Sequence, residues 1–128
     1  MTKVLIKKDN NPFSVDNFNG VKIKGFDITF WDIEKLYFDF KTIDSSFLSN
    51  KSLTDLWKSG DKNYNDFLSN FLQIAKNFDI IYFNIYNPFP PEWVFINLKD
   101  KRTIFFCNDD PHKSYERTAG AVWAYDMV

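Results

Sequence analysis

The chain has 128 residues, with 16 basic and 17 acidic side chains and a net charge of -1. That length suits one domain with a single core, and the balanced charge excludes the basic stripe of a nucleic-acid binder. No run reaches the roughly 18 apolar residues of a membrane-spanning helix, and the lone Cys107 excludes a disulfide framework or a cysteine metal site.

The opening MTKVLIKKDNN lacks signal-peptide architecture, so a cytoplasmic protein is expected. Aromatic residues make up 20% of the chain. With the many Lys, Asn and Ile, they fit an AT-rich coding sequence better than an aromatic binding surface.

Val4–Lys7 reads as a short buried strand, followed by a turn-rich stretch at Asn10–Gly25. A second strand, Phe26–Trp31, is rich in β-branched and aromatic residues. Ser52 and Asp55 have the spacing of a capping pair before a short turn with Leu53, Leu56 and Trp57. Tyr64, Phe67, Leu68, Phe71, Leu72 and Ala75 form one apolar face at helical period. Ser59 or Asp61 caps that helix, and Asn77 suits a left-handed C-terminal position.

A strand at Ile80–Tyr86 follows, then PFPPEW, where Pro91 fits the first turn of a short helix through Leu98. Thr103–Cys107 is the fourth strand, and Tyr115, Thr118, Ala119, Val122 and Trp123 again fall on one helical stripe. Asp126-Met127-Val128 has the look of a further strand just beginning, so a fragment of a longer protein is one expectation. The alternation predicts a Rossmann-like α/β three-layer sandwich over residues 1–128. Its sheet is mainly parallel, with about four to five strands.

In open parallel sheets, ligands sit beyond the carboxyl ends of the strands. Here two strands run into amides and carboxylates: Asn84 and Asn87 after one, Asn108, Asp109 and Asp110 after the other. Asn108-Asp109-Asp110-Pro111-His112 is the densest polar cluster. Its carboxylates can accept hydrogen bonds from hydroxyls, and His112 can serve as acid or base near neutral pH. On spacing alone, Asp110 capping a helix that starts at Pro111 outweighs the ligand-site reading.

Asn84 and Asn87 equally suit a turn before Pro88. Arg117 can hold a carboxylate or phosphate, although a solvated helix arginine is the simpler reading. Ser114 lacks the partners of a nucleophilic triad. Adjacent aspartates rarely aim at one point, and no glycine-rich phosphate loop follows any strand. Neither a metal nor an organic cofactor is therefore expected.

The strand ending in NDDP, then HKSYERTAGAVWAYD, resembles the N-terminal domain of GT-B glycosyltransferases, in particular the CgeB-like or spore-maturation-like group. The matching features are Asp109-Asp110-Pro111, Ser114, Arg117 and Tyr125-Asp126, with FDIIYFN and KGFDITFWD resembling earlier strands. The resemblance spans residues 1–128 in order of elements and 79–126 in motif. It implies sugar transfer from a nucleotide-sugar donor to an acceptor, across a cleft between two Rossmann-like domains. This chain would be the acceptor-side half, inactive alone, with Asp110 and His112 as acceptor contact and base.

The chain departs from the family in length, having no room for the donor domain, and in lacking a glycine-rich loop after the first strand. The alternative is a non-catalytic α/β binding or interaction module. A homodimer through the truncated sheet edge, near Trp123 and Tyr125, is then a further expectation.

Overall fold

The computed structural model describes residues 1–7, 24–31, 50–84, 88–106 and 120–128, with the side chains of Lys7, Asn50 and Asn84 outside that description. Strands β1 (Thr2–Lys7), β2 (Phe26–Trp31), β3 (Ile80–Asn84) and β4 (Arg102–Phe106) form one sheet in the order β2-β1-β3-β4. Every pairing in it is parallel. Helices α1 (Asn50–Lys58) and α2 (Lys62–Ala75) lie between β2 and β3, and α3 (Pro91–Asn97) connects β3 to β4. The expected Rossmann-like α/β fold is thus observed, with α1 and α2 between β2 and β3 and α3 between the parallel neighbours β3 and β4.

Register explains which residues make the core. Leu5 pairs with Thr29 and Ile81, and Phe83 with Phe105. Partners on adjacent parallel strands point to the same face, and alternate residues along a strand share it. Leu5, Trp31, Ile81, Phe83 and Phe105 therefore lie on one face, and all are buried against the helices. From α2 come Tyr64, Phe67, Leu68, Phe71 and Ala75, the buried stripe its spacing predicts. From α3 come Trp93 and Val94. The opposite face presents Val4 and Ile6 buried and Ile28, Phe30, Ile80, Tyr82 and Ile104 half-buried. No described helix packs on it.

Local chemistry sets the element ends. Asp61 caps α2 by accepting from the Tyr64 amide at 2.9 Å. Gly60 ends α1 with φ of +80°, a left-handed conformation in which a glycine avoids the Cβ clash of other residues. Two expectations are corrected. Ser52 and Asp55 lie inside α1 rather than capping a turn, because Leu53, Leu56 and Trp57 at i, i+3 and i+4 give that segment a packing face. Asn77 does not take the left-handed conformation. The helix ends right-handed at Lys76, and Asn77 binds back instead, its amide to the Ile74 carbonyl and its side chain to that of Gln73.

The described end of the chain forms a short 3-10 turn, Val122–Ala124. Beyond it Met127 bridges Ile104 in parallel on the outer edge of β4, the start of a strand that DMV suggests. The Phe105 amide donates to the Met127 carbonyl at 2.8 Å, and the Asp126 carboxylate accepts from the Thr103 amide at 2.8 Å.

Candidate functional site

Because the strands are parallel, their carboxyl ends at Lys7, Trp31, Asn84 and Phe106 line one edge of the sheet. From β1 the chain moves outward to β2, then returns past β1 to β3 and continues to β4. The direction reverses between β1 and β3, and an open parallel sheet has its ligand crevice at such a point, outside the carboxyl ends. Asn84 ends β3 at that switch point, in register with Phe106 at the end of the neighbouring β4. The two polar clusters singled out in the sequence thus follow adjacent strands. The backbone of Asn84 is described, whereas Asn87, Asn108, Asp109, Asp110, His112, Ser114 and Arg117 lie outside the described residues. So does Cys107.

What the described residues build is the floor beneath this edge. Phe89, only 1% exposed, is its hub. Its ring centroid lies 4.4 Å from Phe71, 5.3 Å from Trp93, 5.5 Å from Phe67, 5.6 Å from Phe83 and 5.8 Å from Trp31. The offset and edge-on geometries are those that aromatic quadrupoles favour. Most of the described aromatic residues therefore serve the core. Trp31 contributes a buried indole N–H with no hydrogen-bond partner among the described residues.

The segment Pro88–Pro90, returning from β3 into α3, is pinned to this floor. The Tyr64 hydroxyl donates to the Pro88 carbonyl. Burial, and secondarily the nearby Tyr125, raises the Tyr64 phenol far above its ordinary value, so it stays a neutral donor. One helix over, the Thr54 hydroxyl donates to the Glu92 carboxylate at 2.6 Å and ties α1 to the first turn of α3. Sequence reasoning missed both links. Tyr64 and Thr54 look like ordinary helix positions, and their partners are 24 and 38 residues away.

Tyr125 and Asp126 resolve into packing and clasping roles. Tyr125 packs on Phe105 at 4.8 Å and Phe83 at 5.4 Å. The Asp126 carboxylate accepts from both the amide and the hydroxyl of Thr103. Among the described residues, no three His, Cys, Asp or Glu side chains converge as metal ligands would, and no helix is long and apolar enough to cross a membrane.

An open cleft of about 710 Å³ lies at the opposite edge, where Thr2, Phe26, Ile80 and Arg102 begin the four strands. Part of its polar lining is committed to framework. The Lys3 amide donates to the Asp79 carboxylate at 2.9 Å, and the Asp79 backbone exchanges bonds with Lys3 and Arg102. Lys101 donates to the Lys76 carbonyl at the end of α2. Topology favours the carboxyl edge over that cleft. The Asp79 and Lys101 side chains of the cleft already serve the strand starts and the end of α2. No family model, curated protein or solved structure matches this chain.

Proposed function

We propose that this chain is the acceptor-side domain of a glycosyltransferase-like protein of the cytoplasm, incomplete without a donor-binding partner domain. The observation that carries the reading is the adjacency of β3 and β4 in parallel register. The residues that follow each strand thereby begin at neighbouring points of one edge, beside the switch point. Asn84, Asn87, Asn108 and Asp109 would hydrogen-bond acceptor hydroxyls, and Arg117 with Ser114 would meet an anionic group of a nucleotide-sugar. His112 would take the proton of the attacking acceptor hydroxyl, with Asp110 in contact with that acceptor. The acceptor oxygen would then bond to the anomeric carbon as the bond to the nucleoside diphosphate breaks.

The test uses the longest natural reading frame and a panel of uridine, guanosine and adenosine diphosphate sugars, with nucleoside diphosphate release as readout. His112→Ala and Asp110→Ala should each lower transfer by at least about 100-fold, the usual reach of acid–base catalysis. Unchanged transfer in both variants removes the assignment. A non-catalytic interaction module is the second reading, and one observation favours it: Phe95, Ile96 and Trp123 are each more than half exposed.

A further inference from the structure

Helix α3 is apolar on both sides. Its inward arc carries Trp93 and Val94, with Leu98 at the cap, all buried. Its outward arc carries Glu92, Phe95 and Ile96, and Lys99 follows one residue past the cap, at i, i+3, i+4 and i+7. Those spacings place Glu92, Phe95 and Ile96 on a single stripe of the helix, with Lys99 in the turn just beyond its Leu98 cap. A surface helix ordinarily shows polar residues there, yet Phe95 is 54% and Ile96 56% exposed. The 3-10 turn extends the apolar surface. Trp123 is 51% exposed and its ring lies 5.6 Å from that of Phe95, beside the exposed Val122. Together these side chains show roughly 350 Å² of apolar surface, within the range of patches that function on monomers. The contribution a stable dimer needs from each partner is about 800 Å², so such a patch can form the apolar centre of one.

We propose that this face binds a second copy of the chain through antiparallel pairing of the two α3 helices. Charge selects this occupant. A two-fold axis between Phe95 and Ile96 sets Phe95 of one copy against Ile96 of the other, and Glu92 of one against Lys99 of the other. The stripe is thus complementary to itself when reversed, as an isologous interface requires. Glu92 accepts from Thr54 through its Oε2, which fixes the position of the half-buried carboxylate. Lys99 is exposed and in no ion pair among the described residues. The outer edge of β4 is a poorer candidate for self-association, since Met127 already occupies it at Ile104.

Sedimentation velocity of the 128-residue chain, from about 5 to 500 µM, reads the association directly. The expected result is a reversible dimer with a micromolar constant. Phe95→Asp should weaken it by at least about 30-fold, the loss typical of an interface hot spot, with far-UV circular dichroism unchanged. Lys99→Glu and Glu92→Lys should each weaken it by about 3- to 10-fold. An equimolar mixture of those two variants should associate more tightly than either alone, because both cross-copy contacts are opposite in charge again. A chain that stays monomeric across the range overturns the proposal. So does a dimer indifferent to Phe95→Asp, or a mixture no tighter than its parts. If Phe95→Asp lowers the melting temperature by several degrees while association is unchanged, the chain itself covers this face and the proposal fails.

Discussion

Replacing Tyr64 by Phe removes one oxygen atom and tests how the segment that returns from the sheet edge is held. The hydroxyl is buried and donates to the Pro88 carbonyl. Deleting it loses that bond and strips a buried carbonyl of this donor, at a cost of about 1–3 kcal/mol near neutral pH. We take about 2 kcal/mol, since the ring stays in place. The pH dependence separates this explanation from a packing defect. Burial first, and Tyr125 second, raise the folded-state value of the phenol above its ordinary 10.

The folded chain keeps the proton while the unfolded chain releases it above pH 10, so the unfolded state binds fewer protons and stability falls as pH rises. The contribution is complete below pH 10. Above it, the loss is about 1.4 kcal/mol per pH unit, and the Phe variant lacks this component. Other tyrosines titrate equally in both proteins and cancel in the difference. Urea unfolding at pH 7, 9, 10.5 and 11 should show a constant gap to about pH 10 that then closes, reaching zero near roughly pH 11.5. A gap below about 0.5 kcal/mol at pH 7, or one that persists unchanged to pH 11, refutes the reasoning.

Two further perturbations probe the floor and the clasp. Phe89→Ala empties the point where five rings meet and should cost about 3–5 kcal/mol in urea unfolding; less than about 2 means the cluster can collapse around the gap. Asp126→Ala removes the acceptor of the Thr103 amide and hydroxyl. Amide exchange at Thr103 should quicken by at least about tenfold, with little change for Phe71 at the centre of α2, and equal acceleration at both would mean a global loss of stability instead.

The strands were legible because each is a compact run of β-branched and aromatic residues, and α2 because six apolar residues recur at its period. The sequence of α1 reads as a turn. It has only Leu53, Leu56 and Trp57 to mark a face, and its Ser52–Asp55 spacing mimics a cap. The order β2-β1-β3-β4 was not legible, since it depends on pairings such as Val4 with Ile80, far apart in the chain. Nor was the exposed side of α3. In Trp93-Val94-Phe95-Ile96 every residue is apolar, so periodicity alone cannot say which side meets the core. For the site, the sequence located the strand ends that run into polar residues. The parallel register then set two of those ends side by side, something composition cannot encode. The side chains of the candidates themselves are beyond the described residues.

The two edges of this sheet divide their labour, and the division argues for the carboxyl edge as the place of function. At the amino edge, the main-chain and carboxylate bonds of Asp79 tie β1 to β3 and β4, and Lys101 closes the end of α2. Changing those groups would loosen strand starts, so they serve the framework. At the carboxyl edge the described ladders end on Trp31 and Phe106 beside the backbone of Asn84, above a floor of packed rings. Rings held by five neighbours cannot drift, and Tyr64 fixes the segment that leaves the edge for α3. Such a floor offers little hydrogen-bonding chemistry but a rigid support. Binding groups carried by the segments after β3 and β4 need that support to meet a ligand within a fraction of an ångström.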